Sequence, residues 1–185
     1  MIHPTDMMHD IEKILVSEAE LKAGIKEMAK KISDDYRGKQ PIVVGILKGV
    51  VPFYAAMTQS MDIPMQQDFM SVSSYGNNTF SSGKLTIRKD LDHDIKDRHV
   101  LILEDILDSG YTLNRILEML REREPASIKI CTMLDKPSGR KEPLEADYAC
   151  FTIPDGFVVG MGLDYQDYYR NLPFVGILKE NVYTK

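Results

Sequence analysis

His99-Val-Leu-Ile-Leu-Glu-Asp-Ile-Leu-Asp-Ser-Gly-Tyr-Thr-Leu113 is the stretch of this 185-residue chain whose reading decides the fold. Val100, Leu101, Ile102 and Leu103 make an unbroken apolar run, as a strand covered on both faces of a parallel sheet requires. Glu104 and Asp105 are expected at its carboxyl end. Asp108, Ser109, Gly110 and Thr112 then form a small-residue turn, and Leu113, Ile116, Leu117 and Leu120 follow at helical spacing.

Such a turn is suited to an anion. Open amides and the positive dipole end of a helix N-terminus attract it, Gly110 permits close backbone approach, and the Ser109 and Thr112 hydroxyls add donors. Glu104 and Asp105 are placed to accept from the paired hydroxyls of a ribose, or to hold a metal through water. The implied ligand is a phosphorylated ribose. A solvated loop with Asp108 or Ser109 capping the helix would need less than this full succession of residues.

The pattern recurs upstream. Ser17 and Glu20 form a capping-box pair, with Leu21, Ile25, Met28 and Ile32 on one face of the following helix. Residues 41–47 read as a buried strand, followed by Lys48-Gly49 and an apolar helical stretch through Phe53, Ala56 and Met57. Residues 71–90 are too polar and turn-rich for a core element, and form either a hairpin excursion or a lid. Further strands are expected at 128–134, 149–153, 157–160 and 175–178.

Composition sets bounds. A 185-residue chain with 43% hydrophobic residues can bury one substantial core, and no repeat or low-complexity linker divides it, so one domain spanning 1–185 is expected. A net charge of -5 disfavours a generic nucleic-acid surface. No segment has the length of a membrane span and the amino terminus lacks a signal-peptide pattern, which points to the cytoplasm. Cys131 and Cys150 sit in apolar strand-like contexts, as reduced core cysteines do. No Walker loop is present, and Gly160-Met161-Gly162 lacks the third glycine of a dinucleotide fingerprint.

Glu104-Asp105-Ile106-Leu107-Asp108-Ser109-Gly110 resembles the phosphoribosyl pyrophosphate signature of type I phosphoribosyltransferases, and most resembles their hypoxanthine-guanine branch. The resemblance runs from the first helix to the strand at 175–178. It implies an α/β fold with a mainly parallel central sheet flanked by helices, a small carboxyl-terminal hood and a mobile lid loop at about 71–90. Within it, Glu104 and Asp105 face the ribose hydroxyls and magnesium, Asp108 is the general base near the purine N7, and Asp108, Ser109, Gly110, Tyr111 and Thr112 bind the 5'-phosphate. Lys48, Gly49 and Arg170 take the pyrophosphate, and Ser74 and Tyr75 belong to the lid.

For the base, the resemblance implies that Lys136 reads O6, Phe157 stacks on the ring, and Val158 contacts it through the backbone. Lysine donates to a carbonyl and cannot accept from an exocyclic amine, which favours a 6-oxopurine over adenine. Asp164 is the magnesium-linked acid beside the base, and Gly156 stands where some relatives carry a larger residue. The implied reaction moves the 5-phosphoribosyl group from phosphoribosyl pyrophosphate to N9 of hypoxanthine or guanine, with Mg2+, in a homodimer or homotetramer that binds no nucleic acid and no membrane. The competing reading is a phosphoribosyltransferase-like regulator that binds RNA or an effector with little catalysis.

Overall fold

In the computed structural model, residues 6–74 and 85–184 are described. The first described element is strand β1 (Ile11–Val16), where no strand is expected from the sequence. Ser17 then starts α1 (Glu18–Asp35) through the expected capping box: the Glu20 amide donates to Ser17 Oγ at 3.3 Å, and the Ser17 amide to Glu20 Oε2 at 2.8 Å. The buried face carries Leu21, Ile25, Ala29 and Ile32.

The central sheet follows. β2 (Ile42–Leu47) leads into α2 (Val51–Ser60), β3 (Gln66–Ser74) and β4 (Leu85–Lys89). β5 (His99–Leu107) leads into α3 (Tyr111–Arg121), and β6 (Ser127–Asp135) precedes β7 (Tyr148–Thr152). Their order is β4-β3-β2-β5-β6-β7, parallel throughout except for the antiparallel edge strand β4. The mainly parallel α/β sheet is therefore as expected.

Alternating side chains of β5 enter two cores. Leu101 and Leu103 pack with Leu21, Ile25 and Phe53 under α1 and α2. Val100 and Ile102 pack with Leu113, Ile116, Leu117 and Leu120 under α3. Burying a side chain of this size contributes roughly 1.5–3 kcal/mol, so α3 is pinned chiefly by its apolar face.

Three expectations change. β5 continues to Leu107, pairing with β6 as far as Asp135, so Glu104 and Asp105 lie inside the strand and not beyond it. Tyr111 and Thr112 form the first turn of α3, which shortens the turn itself to Asp108, Ser109 and Gly110. The hood is not purely carboxyl-terminal: β8 (Val158–Val159) and β9 (Val175–Leu178) form an antiparallel sheet in the order β1-β9-β8, so the amino terminus supplies an edge. Its core includes Ile11, Val159, Tyr169, Leu172 and Phe174, and a last short helix α4 (Glu180–Tyr183) closes the described chain.

Residues 71–74 and 85–89 of the polar segment are the paired ends of β3 and β4. The rest of the expected lid, including Tyr75, lies outside the described residues, as does the side chain of Ser74. Cys131 is buried, Cys150 is partly so, and both are free thiols. Among the described residues no helix is long and apolar enough to cross a membrane.

Candidate functional site

A cleft of about 280 Å3 opens at the carboxyl ends of β2 and β5, lined by residues 46–49 and 104–113 with Val72. These two strands flank the point where the sheet order reverses direction, the place where open α/β sheets take their ligands. The cleft gathers Lys48, Gly49, Glu104, Asp105, Asp108, Ser109, Gly110, Tyr111 and Thr112.

Because β5 runs on, it carries two adjacent acids into a sparsely solvated place. Burial, reinforced by the neighbouring Asp105 charge, pushes the Glu104 carboxyl well above its ordinary range, and Glu104 Oε2 is buried without a hydrogen-bond partner. Burial also raises Asp105, opposed by the Ile106 amide donating at 2.8 Å and by the nearby Arg170 charge. An orphaned buried carboxylate oxygen favours hydroxyl donors or a cation.

The turn behaves differently from an ordinary cap. Gly110 is the N-cap of α3 at φ +80°, a left-handed backbone that suits glycine, and no side chain caps the helix. Neither Asp108 nor Ser109 takes that role; Ser109 Oγ accepts only a long 3.4 Å bond from the Tyr111 amide. Apart from that long bond, no side-chain oxygen caps the first turn of α3, whose residues 111–113 line the cleft.

The peptide Leu47–Lys48 is cis. A Cβ on Gly49 would fall 1.9 Å from Asp105 Oδ2 and 3.4 Å from Arg170 Nη1, so this glycine permits loop, acid and arginine to converge. Arg170 donates to the Gly162 carbonyl at 2.6 Å and pairs with Asp164 at 2.7 Å and Asp167 at 3.0 Å. Asp167 also holds Lys48 Nζ at 2.8 Å.

Lys136 is 13% exposed and reaches from the end of β6 to within 3.7 Å of Asp108 Oδ2, while pairing with Asp155 at 3.1 Å. It donates to the Gly156 carbonyl at 3.2 Å, and Gly156 has φ +151°, so a larger residue there would be strained. That carbonyl ties Lys136 to the hood beside Phe157, whose exposed ring meets Tyr165 edge-on at 5.5 Å. Val158 is held in β8 opposite Ile177. Phe157, Val158, Asp164 and Arg170 thus stand on the hood side and not in the cleft wall itself.

Four neighbours escaped the sequence reading. Gly139 lies so close to Asp108 that a Cβ would meet Oδ1 at 1.5 Å. Arg140 donates to the Leu107 carbonyl at 2.8 Å, to the Asp108 carbonyl and to the Asp135 carboxylate, fastening the turn to β6. Asp167 bridges two cations, and Tyr183 stacks on Phe157 with centroids 4.9 Å apart. Asp167 lies between Asp164 and Arg170, two residues that the resemblance had picked out, but nothing in local sequence distinguishes the other three.

Among the described residues no three His, Cys, Asp or Glu side chains form a metal cage. Asp164 is engaged by Arg170 and not grouped with Glu104 and Asp105. The donor set instead fits a hard cation held mainly by water and phosphate oxygens, with one or two carboxylates assisting, which is the habit of magnesium.

Comparison with known proteins agrees with this geometry. The phosphoribosyl transferase domain model matches residues 13–166. The hypoxanthine-guanine phosphoribosyltransferase of Streptococcus pneumoniae is 53% identical over 95% of this chain and 98% of its own, and that of Bacillus subtilis is 51% identical over 96% and 98%. A crystal structure of a hypoxanthine phosphoribosyltransferase from Staphylococcus aureus superposes with a TM-score of 0.93 at 44% identity, covering 99% of this chain and 100% of the other. With sheet, cleft and relatives in accord along nearly its whole length, the chain belongs to the phosphoribosyltransferase family, in its hypoxanthine-guanine branch.

Proposed function

We propose that the chain is a purine salvage enzyme of the cytoplasm that transfers the 5-phosphoribosyl group from phosphoribosyl pyrophosphate to N9 of hypoxanthine or guanine, forming IMP or GMP and pyrophosphate. The observation that carries the reading is the Lys136–Asp108 pair, Nζ and Oδ2 3.7 Å apart at the mouth of the acid-lined cleft. A 6-oxopurine presents a carbonyl acceptor at O6 beside a proton at N7, so a cation and a carboxylate side by side match that edge. Adenine offers an amine where Lys136 needs an acceptor.

In this reading Glu104 and Asp105 accept from the ribose hydroxyls, and the amides of Gly110, Tyr111 and Thr112 with the Ser109 hydroxyl hold the 5'-phosphate. Lys48, the Gly49 backbone and Arg170 take the pyrophosphate; arginine's planar fork suits a phosphate oxygen pair. Asp108 removes the N7 proton as N9 attacks the ribosyl carbon, Lys136 stabilises charge at O6, and Phe157 and Val158 position the ring. Glu104 and Asp105 would hold magnesium, which when bound would neutralise and orient the leaving group, while Asp164, expected to join them, is engaged by Arg170 and stands apart from that pair.

The acid pair and an uncapped phosphate turn favour catalysis over the regulator reading. A homodimer or homotetramer is part of the proposal, and light scattering that finds only monomer would remove it. Asp108→Asn tests the chemistry: binding of phosphoribosyl pyrophosphate persists while turnover falls by about 10²–10⁴-fold, the range of a lost general base. Unchanged turnover would sink the assignment.

A further inference from the structure

One carboxylate claims the two cations assigned above to pyrophosphate. Asp167 Oδ1 lies 2.8 Å from Lys48 Nζ and 3.0 Å from Arg170 Nη2, and its Oδ2 accepts from Lys48 Nζ at 3.0 Å. The pairing crosses 119 residues of sequence, from the β2–α2 loop to the segment after β8. We propose that Asp167 competes with pyrophosphate for the Lys48 and Arg170 donors, weakening the grip on the pyrophosphoryl group and easing departure of the product.

Two features mark Asp167, and not Asp164, as the partner that yields. Asp164 is the more buried acid, 31% exposed against 63%, and it is tied down twice, by Arg170 at 2.7 Å and by the Asp167 amide at 2.9 Å. Arg170 therefore keeps Asp164 and the Gly162 carbonyl when Asp167 swings away. Lys48 is 65% exposed on a flexible stem and can follow a phosphate at little cost. Hydrogen bonds from Lys48 and Arg170 hold the Asp167 carboxyl below its ordinary range, so it stays charged at neutral pH.

The proposal rests on the pyrophosphate role given above to Lys48 and Arg170. An alternative role for Asp167, orienting both cations for the ligand, predicts the opposite sign. Exposed ion pairs are worth roughly 1.5- to 5-fold each, so loss of both should tighten pyrophosphate binding by about two- to 25-fold.

The test is calorimetric titration of inorganic pyrophosphate, with magnesium chloride, into wild type, Asp167→Asn and Asp167→Gly. Asn and Gly both tolerate the φ of +68° found at this residue. Both variants should bind pyrophosphate more tightly and show a lower KM for phosphoribosyl pyrophosphate, with the KM for hypoxanthine unmoved and the gain shrinking in high salt. Equal or weaker pyrophosphate binding in both variants would overturn the proposal. Wild type that binds no pyrophosphate, and is indifferent to Lys48→Ala, would instead remove the pyrophosphate assignment itself and this proposal with it.

Discussion

Gly139→Ala isolates the placement of the Asp108 carboxylate from everything else in the cleft. The new Cβ would sit 1.5 Å from Asp108 Oδ1 and 2.8 Å from its Cγ, so the carboxylate oxygen must retreat by about 1.5 Å to reach even a 3.0 Å contact. What moves is the end of a flexible side chain that is 47% exposed, and Gly139 has no positive φ to strain an alanine. Folding stability should therefore change by no more than about 0.5 kcal/mol. Catalysis should not be so tolerant: a reacting group misplaced by about 1 Å costs on the order of 10²-fold, or about 2.7 kcal/mol of barrier. Ultraviolet measurement of IMP formation beside thermal unfolding separates the two effects. In an Asp108→Asn background the same alanine should cost almost nothing more, because the group it displaces no longer works as a base. A Gly139→Ala enzyme that folds normally and turns over within about threefold of wild type would refute the general-base placement.

Other consequences are equally open to measurement. Lys136→Ala removes a charge-assisted bond of about 1.5–3 kcal/mol and should lower kcat/KM for 6-oxopurines by roughly 10- to 150-fold; an unaltered preference over adenine would count against Lys136 as the O6 reader. Glu104 has its carboxyl raised above 4.5 in the fold, so the folded state holds that proton longer than the unfolded chain, and stability falls as pH rises from 4.5 towards the folded value. Urea midpoints of Glu104→Gln should be flatter over that interval and higher at neutral pH, while its KM for phosphoribosyl pyrophosphate increases; parallel pH profiles would contradict the burial argument. Ser17→Ala, which breaks the capping box of α1, should cost about 1 kcal/mol, seen as a fall of about 2–4 °C in Tm, with kcat unchanged.

How much of this was legible depended on whether a residue's role is local. The apolar runs of β2 and β5 and the helical spacing of α3 announce themselves because both faces of the sheet are covered. The capping box and β9 were equally plain. β1 was not: it sits at an edge, only its end residues Ile11 and Val16 are buried, and its pairing with β9 slips register twice, so no period of two reaches the sequence. β5 was cut short at Leu103 because Glu and Asp are poor strand formers, yet pairing with β6 carries the strand past them. The site residues in the phosphate turn could be picked out by their order along the chain. Gly139, Arg140 and Tyr183 matter through contacts with distant segments, and a glycine, an arginine and a tyrosine give no local sign of that.

The measurement that tests the account most directly is a product-resolved assay. Purified protein with magnesium and phosphoribosyl pyrophosphate is offered hypoxanthine, guanine, adenine and uracil in turn, with nucleotides identified by mass spectrometry. Formation of IMP and GMP, with equimolar pyrophosphate and no AMP or UMP, is the result expected from Lys136 beside Asp108 at the glycine-capped start of α3. AMP or UMP as the main product would contradict the base-reading pair, and no nucleotide from any base would contradict the catalytic reading of the cleft.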